Sequence, residues 1–157
     1  GVVGFNYRRI KTGINETLSY VKRCTTDMDS EISGADETGG ICGRNDGAVV
    51  IACENSADVS GLDSVGGIVG YTCSFNSGGV NGYVIASSST ENAVITGTGS
   101  AGGIVGNTYL NPGHASGGSQ SYIVACSSVS DINAPLEGSF AATTHSSGYY
   151  GHIISSW

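Results

Sequence analysis

Residues 59–70 read Val-Ser-Gly-Leu-Asp-Ser-Val-Gly-Gly-Ile-Val-Gly, and this stretch recurs twice more in the chain. Its other copies are residues 32–43 and 95–106, which have the same length and keep the Gly-Gly-Ile pattern. The first four residues, Gly-Val-Val-Gly, repeat the end of the motif once more. Self-similarity at a nearly fixed period is typical of a protein built from stacked repeats.

A second apolar block precedes each copy of the 12-residue motif, and a fourth such block lies nearer the C-terminus. It occupies residues 20–24, 49–53, 83–87 and 122–126. Between the Gly-Ile-Val-Gly block and this second block the spacing varies, and the segments concerned are 5–19, 44–48, 71–82 and 107–121. We call these segments the variable connections. Insertions confined to one point of a repeat fall on one face of the stack.

The composition favours β-structure. The chain of 157 residues contains 26 Gly, and its 13 Ile and 14 Val far outnumber its 4 Leu. Side chains branched at Cβ lose rotamer freedom in helices and pack well on pleated sheets. We therefore predict an all-β fold, a right-handed parallel β-helix of about four coils with three short strands per coil.

Each apolar block then forms a column through the stack. The predicted columns are Val2/Ile41/Ile68/Ile104, Val21/Val50/Val84/Ile123 and Ile32/Val59/Ile95/Ile132. The Gly pairs are expected at corners that require positive φ or a close backbone approach. Repeats are predicted over 1–134. Residues 135–157, which carry Phe140, Tyr149, Tyr150 and Trp157, are predicted to form an irregular aromatic cap of the same domain.

Charge excludes two classes of partner. All Lys and Arg residues lie in the first 44 positions, and residues 45–157 contain seven acids without a compensating base. A surface of this kind cannot neutralise phosphates, so nucleic acid and anionic membranes are not expected as partners. No apolar run reaches the length that spans a bilayer. We expect the chain to belong to a longer polypeptide.

The motif Gly66-Gly-Ile-Val-Gly70, with Val59-Ser-Gly61 and Ala52-Cys-Glu-Asn-Ser56 before it, resembles the GLUG repeat. This repeat occurs in bacterial immunoglobulin-A protease-like proteins and in surface adhesins of Bacteroides-type bacteria. The resemblance implies secretion and a β-helical cell-surface stalk or adhesive region. Peptidase activity in that family belongs to a separate zinc domain with His-Glu-x-x-His. His114, His145 and His152 do not have that spacing, so the resemblance implies no peptidase here.

The five cysteines lack the Cys-x-x-Cys pairs of metal sites. Cys24, Cys53 and Cys126 share one column with Ser87, and Cys42 replaces a Val of the motif, so all four are expected as buried thiols. Cys73 falls in a variable connection and is expected to be the exposed thiol. No cofactor is expected.

One acidic run could hold a metal. Asp27, Asp29 and Glu31 alternate along the chain and could bind Ca²⁺, although a solvated turn explains the same pattern.

The variable connections 71–82 and 107–121 mix aromatic residues with Asn, Ser and Gly, a composition suited to stacking and adaptable hydrogen bonding. Bound glycan or a host or cell-surface protein would both fit, although tolerated surface insertions would look the same. The candidate binding residues are Tyr71, Phe75, Asn76, Asn81, Tyr109, Asn111 and His114.

Catalysis was weighed against this interpretation. A polysaccharide lyase needs a cationic group beside its uronate, and a hydrolase needs converging carboxylates. Asp58, Asp63 and Asp131 lie in different coils without a repeated position, so no catalytic residue is assigned. The sequence therefore predicts a non-catalytic secreted or cell-surface module, a stalk or adhesin segment. The alternative is a polysaccharide-active β-helix enzyme, a lyase or a hydrolase.

Overall fold

The computed structural model describes residues 1–8, 18–74, 81–110, 120–138, 140–144 and 152–154. Throughout these ranges the regular secondary structure is β-strand. All strand pairs are parallel and form five sheets. The prediction of an all-β fold with parallel strands is confirmed. No helix long and apolar enough to cross a membrane occurs in the described ranges.

Two sheets contain five strands each. The first sheet consists, in order, of β1 (Val3–Tyr7), β5 (Cys42–Asp46), β10 (Val69–Ser74), β15 (Val105–Leu110) and β20 (Ala141–Thr144). The second sheet consists of β2 (Tyr20–Lys22), β6 (Val49–Ile51), β11 (Gly82–Ile85), β16 (Ser121–Val124) and β21 (His152–Ile154).

Three smaller sheets complete the structure. The third contains β3 (Thr25–Thr26), β7 (Glu54–Asn55), β12 (Ser88–Ser89) and β17 (Ser127–Ser128). The fourth contains β4 (Glu31–Ser33), β8 (Asp58–Gly61), β13 (Val94–Gly97) and β18 (Asp131–Asn133). The fifth contains β9 (Val65–Gly66), β14 (Ser100–Gly102) and β19 (Leu136–Gly138).

The chain visits these sheets in the same order in every repeat, and each strand pairs with its counterparts in the neighbouring repeats. A complete repeat has five strands, so the predicted three per coil is wrong. The predicted blocks are the strands of the first, second and fourth sheets. The remaining strands have only two or three residues each, which is too short for a periodic pattern that would predict them.

The predicted apolar columns are present. Val21, Val50, Val84 and Ile123 pair in sequence, as do Ile32, Val59, Ile95 and Ile132. Ile41, Ile68 and Ile104 are fully buried, and the Ile41 amide donates to Ile68 while the Ile68 amide donates to Ile104. The first core lies between the first and second sheets, and a smaller core centred on Val59 and Ile95 lies under the fourth and fifth.

Two glycines of the motif allow neighbouring backbone segments to approach each other closely. A Cβ on Gly66 would collide with the backbone oxygen of Val69, and one on Gly70 would collide with the backbone of Glu37. Neither Gly has a positive φ. The left-handed corner of the repeat belongs instead to residues with side chains, and its occupants are Arg23, Ala52, Ala86 and Ala125.

The C-terminal segment differs from the predicted irregular cap. Among its described residues, β19, β20 and β21 pair in register with β14, β15 and β16 and so extend three of the sheets. Phe140 packs against the first core. Tyr149, Tyr150 and Trp157 lie outside the described residues.

The variable connections are shorter than their predicted boundaries. The strand β10 runs to Ser74 and β15 runs to Leu110, so Tyr71 and Tyr109 are strand residues of the first sheet. The sequence gives no sign of this extension because these residues lack a repeated apolar block.

Candidate functional site

Arg44 occupies the centre of the outward face of the first sheet. It pairs in register with Phe5 on one side and Tyr71 on the other. Its guanidinium carbon lies 5.7 Å from the centre of the Phe5 ring and 5.1 Å from that of Tyr71. Distances of this size allow a cation–π interaction with both rings. One face of the Tyr71 ring is therefore occupied by a side chain of the protein itself.

Two carboxylates neutralise Arg44. Its Nη1 lies 2.9 Å from Oε1 of Glu37, and its Nε lies 3.2 Å from Oδ2 of Asp46. Asp46 is almost completely buried, so its charge depends on this partner. The cluster as a whole carries no excess positive charge, and it is poorly suited to capture an acidic sugar.

Cys73 is buried, which corrects the prediction that it is the exposed thiol. It lies on β10 beside Asp46, and its thiol donates a hydrogen bond to Oδ1 of that carboxylate. Burial, and next the contact with Asp46, raise the pKa of Cys73 above its ordinary value. The thiol is thus held protonated and is a poor nucleophile at neutral pH.

The exposure of the other cysteines also differs in part from the prediction. Cys42, Cys53 and Cys126 are buried as predicted, whereas Cys24 is only half-buried. All five sulfurs are free thiols. The most accessible of them is therefore Cys24, which lies in the first repeat.

A tyrosine and amide network lies at the start of the second-sheet strands. Asn81 donates through Nδ2 to the Tyr83 hydroxyl at 3.0 Å, and its Oδ1 accepts from the Gln120 amide at 2.8 Å. The Tyr122 hydroxyl donates to Oε1 of Gln120 at 2.7 Å. The rings of Tyr83 and Tyr122 stack with centres 5.2 Å apart. Asn81 thus joins two neighbouring repeats.

The outward face of the second sheet is mostly uncharged. One column contains Tyr20, Val49, Tyr83 and Tyr122, and the next contains Lys22, Ile51, Ile85, Val124 and Ile154. We call these residues the tyrosine face. Outward positions of the fourth sheet are instead mostly acidic or polar, and they include Glu31, Asp58, Ser60, Thr96 and Asp131, with Val94 as an apolar exception. The fourth sheet is a solvated surface, whereas the tyrosine face has the composition of an interface.

The structure divides the described part of the predicted binding set between two sheets. Tyr71 lies on the first sheet, and Asn81 directly precedes β11 of the second. Tyr109 lies on β15 and pairs with Cys73 of β10. Phe75, Asn76, Asn111 and His114 lie outside the described residues.

Sequence reasoning missed Phe5, Arg44 and Tyr83. The recurrence of Tyr at the first position of the second block was the available signal for Tyr83, since residues at one position of a repeat share one environment. Arg44 had no comparable signal because its counterparts are Phe5, Tyr71 and Asn107.

The acidic run lies in an exposed turn. Asp27 accepts a hydrogen bond from the Asp29 amide at 3.3 Å, which is a turn interaction. Asp27, Asp29 and Glu31 are all exposed. The described part of the chain contains no group of three or more His, Cys, Asp or Glu side chains placed to bind one ion.

Comparisons with known proteins give one structural likeness. No family profile and no curated protein matches the sequence. A crystal structure from Bacteroides ovatus, of a protein described as a proposed immunoglobulin A1 protease, is similar with a TM-score of 0.69 and 20% sequence identity. The likeness covers 98% of this chain and 44% of the other, so this chain spans less than half of that protein. At this identity the comparison establishes a shared fold.

Proposed function

We propose that the five sheets are the faces of a right-handed parallel β-helix that acts as a non-catalytic stalk or adhesin segment at a bacterial cell surface. The module binds a glycan or a host protein beside its variable connections. The GLUG-like motifs and the likeness to the Bacteroides ovatus structure support the architecture and the source of the module. The repeat can extend in one direction without changing its cross-section, which suits a stalk.

The observation that carries the binding proposal is the tyrosine face. The side chains that the structure describes on this face are aromatic or aliphatic with the exception of Lys22, although the chain has a net charge of −7. His152 pairs with Tyr122 at the end of the first column. Tyr20 is 52% exposed, and Tyr83 and Tyr122 are half-buried. The variable connections lead from the first-sheet strands into the beginnings of the second-sheet strands. Changes in their length therefore alter the surroundings of the tyrosine face without disturbing the columns.

A non-catalytic role follows from the state of the charged groups near these connections. Arg44 is engaged by Glu37 and Asp46, and Cys73 is held as a protonated thiol. A lyase would require a cationic group available to its substrate, and Arg44 is already bound by two carboxylates.

Binding can be tested on a panel of neutral and acidic glycans and extracellular glycoproteins. The double variant Tyr20→Ala/Tyr83→Ala removes two aromatic side chains of the tyrosine face. Leu62→Ala, at a residue 54% exposed outside the tyrosine face, is the matched control. We expect the double variant to lose at least about tenfold in affinity while the control keeps it, since aromatic side chains dominate most interfaces.

Four outcomes would contradict the proposal. Equal losses in the control would indicate a general effect on folding, and full binding by the double variant would place the site elsewhere. Release of unsaturated or reducing sugar ends from a polysaccharide would favour the enzyme alternative. Failure of antibodies to label the protein on intact source cells would exclude the surface location.

A further inference from the structure

Cys24 and Cys53 occupy adjacent positions of one column. Thr25 pairs with Glu54 on β3 and β7, and the Glu54 amide donates to the Cys24 carbonyl at 2.9 Å, so the preceding cysteines are neighbours across the strands. Neighbouring strands lie about 4.8 Å apart. Disulfides join Cα atoms separated by about 4.4–6.8 Å. The backbone spacing therefore permits a bond between them.

The two cysteine side chains also lie close to each other. The Cys53 thiol donates to the Ile51 carbonyl at 3.4 Å and lies 3.8 Å from the Val21 carbonyl of the preceding repeat. The Cys24 thiol donates to the Lys22 carbonyl at 3.6 Å. The two cysteine side chains interact directly with each other.

We infer that Cys24 and Cys53 are a redox modification site, at which a small-molecule disulfide such as glutathione disulfide converts the two thiols into a disulfide that ties the first repeat to the second. The half-buried Cys24 meets the oxidant first, since Cys53 is only 2% exposed.

The exchange balances in two steps. The Cys24 sulfur, after losing its proton, attacks the oxidant, forms a mixed disulfide and releases one glutathione thiol. The Cys53 sulfur then loses its proton, attacks the Cys24 sulfur and releases the second glutathione thiol. The two cysteines lose two electrons and two protons in total, and the oxidant gains them. Burial raises the pKa of Cys53, so the second step is the slower one.

The remaining cysteines have no such neighbour in this column. The column continues from Cys53 through Ser87 to Cys126, so Ser87 separates Cys126 from the pair. Cys42 and Cys73 lie on the first sheet. Cys126→Ser is therefore a matched control, and Ser87 shows that a hydroxyl is accommodated at this position, where it donates to the Ile85 carbonyl.

The experiment incubates the folded chain with glutathione disulfide, followed by peptide mass mapping without reduction. We expect a Cys24–Cys53 linked peptide that has lost two hydrogen atoms. It should form in wild type and in Cys126→Ser but not in Cys24→Ser. The oxidised protein should melt about 5–10 °C higher than the reduced one, because the bond closes the first repeat in the unfolded chain.

Other outcomes overturn the inference. A Cys24 that accumulates glutathione while Cys53 stays unlinked would show that the sulfurs cannot meet in bonding geometry. A bond between Cys53 and Cys42 would assign the site to a different pair. A linked protein with an unchanged melting temperature would show that the bond does not tie the repeats together.

Discussion

At the scale of single residues, the left-handed corner after each second-sheet strand is strained. Ala52, Ala86 and Ala125 have φ of 54°, 47° and 51°, and Arg23 occupies the same corner of the first repeat with 54°. A side chain in this conformation costs about 1–2 kcal/mol. Each repeat therefore stores a small unfavourable contribution, which glycine would relieve.

Replacing Ala86 by Gly should stabilise the protein. Relief of the strain exceeds the entropy that glycine adds to the unfolded chain, and we expect a gain of about 0.5–1 kcal/mol in the free energy of unfolding. Urea titration measures it. The control is Ala35→Gly, at an exposed residue without positive φ, which should lose stability. An equal loss in the free energy of unfolding in both variants would show that the backbone at this corner is not strained.

Cys42 should make stability depend on alkaline pH. Burial raises the pKa of Cys42 from 9.0 to about 12. Below pH 9 the thiol is protonated in both states. Between pH 9 and 12 the unfolded chain loses the proton and the folded chain keeps it, so stability falls by about 1.4 kcal/mol per pH unit for this thiol.

The variant Cys42→Val tests this dependence, because Val69 and Val105 occupy the same position in the next repeats. Under reducing conditions we expect wild type and variant to differ by less than about 1.5 kcal/mol at pH 7. The wild type should then lose more stability than the variant as the pH rises to 11, by urea unfolding at each pH. Parallel pH profiles would show that Cys42 does not titrate abnormally.

At the scale of elements, a glycine of the fifth sheet lets two backbones approach closely. An added Cβ on Gly66 would collide with the Val69 oxygen and lie 2.7 Å from the Gly106 nitrogen, whereas one on Gly4 would meet nothing within 4 Å. We expect Gly66→Ala to lower the free energy of unfolding by about 3 kcal/mol or more. Gly4→Ala should change it by less than about 1 kcal/mol. Thermal unfolding of the two variants distinguishes them, and comparable losses would mean that close approach is not the constraint.

The strands that the sequence predicts are those whose side chains alternate between core and surface. Val50, Val84 and Ile123 recur at one position, and this recurrence identifies both the strand and its register. Glu54–Asn55 and Ser88–Ser89 form strands through the backbone alone, and no side-chain pattern marks them. The candidate site was harder to predict because Arg44 meets Phe5 and Tyr71 through pairing between repeats.

The polar column inside the first sheet is another feature that the sequence pattern does not predict. Asn45 is fully buried, accepts from Nδ2 of Asn6 at 2.9 Å and donates to the Ala48 carbonyl at 3.0 Å. Thr72 continues the column in the next repeat. From the sequence these residues belong to variable connections, since Asn and Thr are typical of loops. Stacking converts them into a hydrogen-bonded column that satisfies buried backbone groups.

At the scale of the whole molecule, the exposed acids of the fourth sheet and the uncharged columns of the second sheet occupy different surfaces. Glu31, Asp58 and Asp131 lie on the fourth sheet, away from the columns of the second. One side of the molecule is therefore acidic and solvated, whereas the tyrosine face is nearly without charge. This separation follows from the register, which repeats the same outward residue type from one repeat to the next.

The stacking also predicts how the molecule opens. Each strand of the second sheet pairs only with its neighbours in the sheet, so β6 and β11 are paired on both sides, whereas β2 pairs with β6 and β21 with β16. In such arrays the inner repeats open less often than the outer ones. We expect the amides of β6 and β11 to exchange with deuterium at least about tenfold more slowly than those of β2 and β21 in the reduced protein. Oxidation of Cys24 and Cys53 should slow exchange in β2 and leave β21 unchanged, which provides an internal control. Equal exchange rates in all four strands would mean that the repeats open as a single cooperative unit, and nearest-neighbour stacking would then be the wrong description of the stability of this fold.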